Sequence, residues 1–187
     1  MRVISGEFKG KKILEPDDRT TRPLRDLVKE SIFNIIKHSK KISVNLENSN
    51  ILDLFSGVGS FGIEALSRGS QYVTFVENYP KVLGILRKNI KEFKLNDKCE
   101  IIEKDILNDL DFKSFKNKFD IIFLDPPFNE KNLNQIMKKI HDSRLLEKNG
   151  ILIIHRKSNT QDDLTPEFNE IEEKKYGLSK IIFGKYL

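Results

Sequence analysis

Short apolar runs and helical patterns alternate along the chain between residues 50 and 155. The apolar runs, each predicted to be a buried strand, lie at residues 50–55, 71–77, 99–103, 119–124 and 150–155. Apolar residues recur at helical spacing in three of the intervals between them. Because strands that alternate with helices form a parallel sheet, the pattern predicts an α/β fold with helices on both faces.

The two ends of the chain depart from this alternation. Residues 2–14 predict a small basic β-hairpin, and residues 20–38 predict an amphipathic helix with threonine and proline at its start. Residues 170–186 predict a closing hairpin, which adds an antiparallel strand to the sheet. We therefore expect a single domain over residues 1–187, with the basic hairpin and helix in residues 1–41 and the core in residues 50–187.

The composition is typical of a globular protein with a charged surface. The chain has 187 residues, of which 38% are hydrophobic and 33% are charged, enough for one well-packed core. No apolar run approaches the roughly 20 residues that span a membrane, and the first residues lack the apolar stretch of a signal peptide. The single cysteine, Cys99, cannot form an internal disulfide. We therefore expect a cytoplasmic protein without a membrane partner.

The formal net charge of +5 comes from the N-terminal segment. Residues 1–41 hold 11 Lys and Arg residues against 6 Asp and Glu residues, whereas residues 42–187 hold 22 of each. This asymmetry favours a phosphate-binding arm on an otherwise neutral domain, although a solvated lysine-rich face would have the same composition. The candidate nucleic-acid-binding residues are Arg2, Lys9, Lys11, Arg22, Arg25 and Lys29.

A glycine-rich turn follows the first strand of the core. Gly57, Gly59 and Gly62 fit the spacing G-x-G-x-x-G, between a strand and a helix as that motif requires. Glycines there let a ligand approach the backbone and let the helix pack on the strand. Because a dinucleotide site would have the same turn, the turn alone does not distinguish NAD from S-adenosylmethionine.

Two acidic residues near this turn favour S-adenosylmethionine. Asp53 precedes Gly57 by four residues, where a carboxylate would repel the pyrophosphate of NAD but would suit an ammonium or sulfonium group. Glu77 ends the next strand, 24 positions after Asp53, near the roughly 20-residue offset at which an acid binds ribose hydroxyls. S-adenosylmethionine has a ribose and an ammonium group and no phosphate, so we predict a methyl-donor site.

The segment Asp125-Pro126-Pro127-Phe128 directly follows the fourth predicted strand. An aspartate and a proline-fixed backbone carbonyl can accept the two hydrogens of a planar amino group, and an aromatic ring can stack on a base. Such a segment is by itself more often a turn. Its position after a buried strand, downstream of a donor site, favours methyl transfer to the exocyclic nitrogen of a nucleobase.

Acidic residues come at the ends of four predicted strands. They are Asp53, Glu77, Asp105 and Asp125. Ligands of open α/β sheets bind beyond the carboxyl ends of the strands, so we expect the four carboxylates to converge on one pocket. Asp105 has an alternative role as a cap of the segment that follows it.

Together these motifs resemble those of class I S-adenosylmethionine-dependent methyltransferases and, within that class, the RsmD family. The members of that family are bacterial methyltransferases that act on the guanine N2 amino group of 16S ribosomal RNA. The resemblance covers nearly the whole chain, with matching segments at residues 2–10, 21–33, 53–69, 77, 125–128 and 176–179. One departure is Leu24-Arg25, where the family often has small hydroxyl residues.

The resemblance implies a Rossmann-like class I methyltransferase fold: a mostly parallel seven-stranded sheet with helices on both faces, an antiparallel C-terminal strand, and an N-terminal β-hairpin and helix. It implies that Asp53 and the glycine turn hold the methionine end of the donor, that Glu77 holds the ribose, and that Asp105 and Ile106 flank the adenine. The predicted donor-binding residues are Asp53, Phe55, Ser56, Gly57, Gly59, Glu77, Asn78, Asp105 and Ile106.

The resemblance also implies the catalytic residues and the partner. Asp125 and the Pro126 carbonyl would receive the target amine, Pro127 would restrict the backbone, and Phe128 would stack on the guanine. The implied partner is 16S rRNA within the 30S subunit or its assembly intermediate. We expect the protein to act as a monomer and without a metal.

Three other functions remain open. A DNA adenine or cytosine amino-methyltransferase would use similar chemistry, but the chain has no evident sequence-recognition domain. An NAD-dependent oxidoreductase is disfavoured by Asp53, and a non-catalytic RNA-binding module is disfavoured because every expected motif is present. The three histidines, His38, His141 and His155, are scattered along the chain, so neither a metal site nor a catalytic triad is predicted.

Overall fold

The structure is a computed structural model that describes residues 1–16 and 24–187. The strands in this part of the chain are β1 (Asn50–Leu54), β2 (Tyr72–Glu77), β3 (Cys99–Glu103), β4 (Phe119–Leu124), β5 (Leu146–Lys157), β6 (Phe168–Tyr176) and β7 (Ser179–Tyr186). The α-helices are α1 (Asp26–His38), α2 (Ser60–Ser67), α3 (Pro80–Glu92) and α4 (Leu133–Asp142). The predicted start of the first helix at residues 20–23 lies outside the described residues.

The seven strands form one sheet in the order β3-β2-β1-β4-β5-β7-β6. Strands β1 to β5 are parallel, and β7 is antiparallel to both β5 and β6. The predicted mostly parallel sheet with an antiparallel C-terminal strand is confirmed. The chain builds outward from β1 to β3 and then returns to place β4 on the other side of β1. The carboxyl ends of β1 and β4 therefore flank the switch point at which ligands bind in such sheets.

Helices cover both faces of the sheet, as predicted. One face packs against α1, α2 and α3 through alternate strand residues such as Ile51, Phe123 and Ile153. The other face packs against α4 through the intervening residues, such as Leu52 and Ile122. Because both faces are covered, the central strands are apolar at nearly every position, which is why they are visible as continuous apolar runs in the sequence.

The predicted N-terminal hairpin is present as a single antiparallel bridge between Arg2 and Lys12. Four of its backbone amides, those of Ile4, Ser5, Glu7 and Phe8, donate to residues of α2 instead of to a second strand. The Glu64 carboxylate accepts hydrogen bonds from the Ile4 and Ser5 N–H groups at 2.7 and 3.0 Å. These contacts anchor the opening loop to the helix that follows the glycine turn.

Helix α1 packs into the core through an aromatic stack. The ring of Phe33 lies 5.0 Å from that of Phe61 on α2, which in turn lies 4.0 Å from that of Phe123 on β4. The stack fixes α1 and α2 relative to the strand that leads into the Asp-Pro-Pro segment.

None of the helices in the described ranges is long and apolar enough to cross a membrane.

Candidate active site

A cavity of about 720 Å³ opens beyond the carboxyl ends of the parallel strands. The predicted site residues that line it are Asp53, Phe55, Ser56, Gly57, Glu77, Asn78, Asp105, Ile106, Asp125, Pro126, Pro127 and Phe128. The four carboxylates from four strand ends therefore face one cavity. A volume of this size suits a nucleoside-sized ligand together with part of a second group.

The backbone of the glycine turn enters the left-handed region at three positions of the cavity wall and the adjoining turn. Phe55 adopts a φ of +62°, and Gly57 and Gly59 adopt φ values of +55° and +84°, which glycine tolerates without a steric penalty. Gly59 does not line the cavity. A Cβ atom at Gly59 would lie 2.5 Å from Cδ1 of Leu86, so this glycine lets α3 pack closely against the turn.

The Glu77 carboxylate is held by three backbone amides. Its Oε2 accepts a hydrogen bond from Gly57 N–H at 2.8 Å, and its Oε1 accepts from Asn78 and Tyr79 N–H at 2.9 Å each. These bonds connect the end of β2 to the glycine turn and fix the orientation of the carboxylate. Because a carboxylate oxygen can accept more than one hydrogen bond, Oε2 remains able to bind a ligand hydroxyl.

Asp53 is almost completely buried, with 1% of its surface exposed. Burial raises the pKa of Asp53 well above its ordinary value; the hydrogen bond from Gly62 N–H opposes this shift, and the nearby carboxylates of Asp125 and Glu77 add to it. The Gly62 nitrogen lies 3.1 Å from Oδ2. A cation placed in the cavity would favour the ionised form of this group.

Asp105 caps the turn that follows β3. Its Oδ1 accepts hydrogen bonds from Leu107 and Asn108 N–H at 2.9 and 2.8 Å, and its Oδ2 accepts from the Asn78 side-chain amide at 2.9 Å. The capping alternative for Asp105 is therefore realised. The same contacts hold the buried Ile106 side chain at the cavity wall.

His155 contacts the carboxylate of Asp125, a pairing that the sequence did not predict. His155 Nδ1 lies 2.7 Å from Asp125 Oδ1, and Nε2 lies 2.9 Å from Ser179 Oγ. The Phe128 ring meets the imidazole edge-on, with ring centres 5.5 Å apart. The pairing follows from the strand register, which the sequence alone does not give: Leu124 pairs with Ile154, so the next positions, 125 and 155, are neighbours.

Arg156 was also not predicted, and it holds the segment after Asp125 in place. Its guanidinium donates to the carbonyl oxygens of Pro127 at 3.2 Å and Glu130 at 2.8 Å. Its Nε donates to Asp162 Oδ1 at 2.8 Å. Lys180 Nζ lies 3.4 Å from the other oxygen of Asp162. The Pro127–Glu130 segment is thus anchored to β5 by a buried charge.

Of the six predicted basic residues, four are exposed, one is buried and one lies outside the described residues. Arg2, Lys9, Lys11 and Arg25 are exposed, and Arg25 also lines the cavity. Arg22 lies outside the described residues.

The prediction that Lys29 contacts RNA is contradicted by its complete burial. Its ammonium donates to the Arg2 carbonyl oxygen at 2.8 Å and to Ser60 Oγ at 3.2 Å, and lies 3.5 Å from Glu64 Oε2. Lys29 was mistaken for a surface residue because its partners are remote in the sequence.

Comparison with known proteins extends the likeness to the whole chain. A family model described as "Conserved hypothetical protein 95" matches residues 1–185. The chain belongs to this family. The resemblance to RsmD proteins is thereby confirmed. "Putative rRNA methyltransferase YlbH" of Bacillus subtilis is 32% identical over 187 residues, covering 99% of this chain and 98% of the relative. "Ribosomal RNA small subunit methyltransferase D" of Haemophilus influenzae is 31% identical over 180 residues, covering 95% of this chain and 90% of the relative.

Solved structures share the fold. A structure described as "Putative methyltransferase yhhF from Escherichia coli" superposes with a TM-score of 0.82 at 24% identity and covers 100% of this chain and 97% of its own. A structure described as a "putative methylase" from Haemophilus influenzae superposes with a TM-score of 0.77 at 29% identity and covers 100% of this chain and 98% of its own. The predicted class I methyltransferase fold is confirmed.

Proposed function

We propose that this protein transfers the methyl group of S-adenosylmethionine to the exocyclic N2 amino group of a guanine in small-subunit (16S) ribosomal RNA. The observation that carries the proposal is the cavity in which Asp53 and Glu77 face Asp125 and Pro126. A donor and an acceptor amine can meet there. The full-length likeness to proteins named as ribosomal RNA small subunit methyltransferases supports the choice of substrate.

The donor side of the cavity fits a cationic nucleoside. Asp53 is a buried carboxylate whose pKa is raised by its burial, and it would be stabilised by the ammonium group of the donor. Glu77 has an oriented oxygen for the ribose hydroxyls, and Ile106 offers an apolar surface for the adenine. When bound, S-adenosylmethionine supplies an electrophilic methyl carbon.

The acceptor side fits a planar amine. A guanine amine is a poor nucleophile because its lone pair is delocalised into the ring. The Asp125 carboxylate and the Pro126 carbonyl would accept its two hydrogens and direct the lone pair at the methyl carbon. Positioning of this kind contributes about 7–11 kcal/mol in favourable cases.

Charge moves during the transfer, and Asp125 is placed to respond to it. As the nitrogen–carbon bond forms and the carbon–sulfur bond breaks, positive charge passes from sulfur to nitrogen, and the amine then loses one proton. A carboxylate next to the nitrogen stabilises that charge. Phe128 would stack on the base at a gain of about 1–3 kcal/mol.

The exposed basic residues extend the site toward the RNA. Arg2, Lys9 and Lys11 lie on the opening loop, and Arg25 lies both at the start of α1 and at the cavity. They would bind phosphates while the target base, unstacked from its neighbours, enters the cavity. We propose that residues 1–41 contact the 30S subunit or its assembly intermediate, and that the protein acts as a cytoplasmic monomer.

One assay tests the substrate. Labelled S-adenosylmethionine is incubated with the protein and, in parallel, with undermethylated 30S subunits, naked 16S rRNA or duplex DNA, and the labelled nucleosides are identified. We expect N2-methylguanosine from ribosomal RNA. Label in DNA adenine or cytosine would overturn the proposal.

Calorimetry tests the donor. Tighter binding of NAD than of S-adenosylmethionine would overturn the proposal that S-adenosylmethionine is the donor.

A further inference from the structure

His155 is a buried titratable residue at the cavity that the proposed chemistry does not use. Of its surface, 6% is exposed, and both ring nitrogens have partners: Asp125 on the strand-β4 side and Ser179 at the start of β7. The imidazole is therefore held between two strands and cannot turn without losing both contacts. Such a ring fixes the group that it contacts.

The contact between His155 and Asp125 requires a proton. At 2.7 Å, a carboxylate oxygen and an unprotonated ring nitrogen would repel each other. If Nδ1 carries the proton, Asp125 is ionised and its Oδ1 is occupied, which leaves Oδ2 for the target amine. If Asp125 carries it, the carboxyl group is neutral and is a weaker acceptor for the amine.

We propose that His155 is a positioning residue for methyl transfer: it donates Nδ1–H to Asp125 Oδ1, fixes the orientation of the carboxylate, and leaves Oδ2 to accept a hydrogen of the target amine. The Ser179 hydroxyl holds the ring from the Nε2 side. This inference rests on the proposed function.

The transfer balances without a change at His155. The amine lone pair forms the bond to the methyl carbon while the electrons of the carbon–sulfur bond pass to sulfur. The methylated nitrogen then releases one proton to Asp125 Oδ2, from which water removes it. His155 keeps its proton throughout, so the step needs no further reactant.

Three substitutions at one position test the geometry. His155→Ala removes the donor, His155→Asn places an amide nitrogen near the position of Nδ1, and His155→Gln places one near that of Nε2. We expect His155→Ala to lower kcat about 100-fold, the size of effect that misplacement of a reacting group produces. Asn should restore most of kcat and Gln should not. The KM and Kd for S-adenosylmethionine should stay within about twofold, because the donor contacts are unchanged.

The matched control is His141→Asn, which alters a histidine beside Asp142 at 3.2 Å outside the residues that line the cavity. It should leave kcat unchanged. Wild-type kcat in His155→Ala, or a kcat for His155→Gln that equals or exceeds that of His155→Asn, would overturn the inference. If the wild-type protein transfers no methyl group to any substrate, the proposed function fails instead.

A measurement on the unaltered protein covers the case in which the variants do not fold. Long-range nitrogen–proton NMR of the histidine ring distinguishes its tautomers. We expect the His155 signal to show a protonated Nδ1. A neutral ring protonated only at Nε2 would overturn the inference, whether or not the substrate is known.

Discussion

Replacement of Arg156 by lysine tests how the Asp-Pro-Pro segment is held. Arg156 is 2% exposed, and its nitrogens reach three acceptors: the carbonyls of Pro127 and Glu130 and the carboxylate of Asp162. Lysine keeps the charge but has one nitrogen. It cannot span acceptors that the planar guanidinium reaches in different directions.

The expected loss follows from the contacts that lysine cannot make. A hydrogen bond from a charged donor contributes about 1.5–3 kcal/mol, and at least one carbonyl loses its bond in Arg156→Lys. We therefore expect the free energy of unfolding to fall by about 1.5–3 kcal/mol. Arg156→Met also removes one of the two charges opposite the buried Asp162, since Lys180 remains 3.4 Å from it, so a larger loss than in Arg156→Lys is expected. Each kcal/mol lowers Tm by about 2–4 °C in a chain of this size.

Urea unfolding followed by circular dichroism measures both variants. The control is Arg87→Lys, whose parent side chain is half exposed and pairs with Glu103; a change within about 0.5 kcal/mol is expected for it. If Arg156→Lys is as stable as Arg87→Lys, then Arg156 does not anchor the segment and this reasoning is refuted. Donor affinity should be retained in Arg156→Lys while kcat falls, because the loosened segment follows Asp125.

Three further predictions concern the donor site, the packing of α2 on the sheet beneath it, and the lysines of the N-terminal opening loop. The pKa of Asp53 is raised by burial above its ordinary value of 3.8, so the unliganded fold should lose stability as pH rises from that value through the raised pKa. Urea titrations should show this loss of stability in the wild type and not in Asp53→Asn. An opposite slope of stability against pH would contradict the prediction. Gly62→Ala would place a Cβ 2.3 Å from the Phe75 ring, so thermal unfolding should show a loss of about 1–3 kcal/mol, whereas an unchanged Tm would count against the packing. The double change of Lys9 and Lys11 to glutamine should reduce the salt dependence of rRNA binding by about one to two units of log K per log salt; an unchanged slope would show that these side chains do not contact phosphate.

The strands could be predicted because their burial leaves a local signal. The runs at β1, β2 and β4 are covered on both faces, so nearly every residue is apolar. The start of β5 was missed for the opposite reason. The strand begins at Leu146 rather than near Gly150, and residues 147–149 are exposed and polar. They lie within a register shift against β4, between the pair Phe119–Leu146 and the pair Ile121–Ile151.

The carboxylates of the site could be predicted from their positions at strand ends, but the groups that hold them could not. His155 meets Asp125 because β4 and β5 are adjacent in the sheet, and the sequence does not state strand adjacency. Lys29 is buried because α1 turns it toward Glu64, 35 positions away. Such pairings depend on tertiary packing, whereas the sequence of α1 by itself shows only a helix with charged side chains.

The most direct test of the proposed function compares donor binding and methyl transfer in Asp125→Ala. Calorimetry with S-adenosylmethionine is combined with single-turnover transfer to undermethylated ribosomal RNA, with the wild-type protein measured alongside. We predict donor affinity close to that of the wild type and a loss of transfer of at least about 100-fold, because the amine loses its carboxylate acceptor. Transfer by Asp125→Ala at the wild-type rate would contradict the assignment of this cavity as the site of methyl transfer.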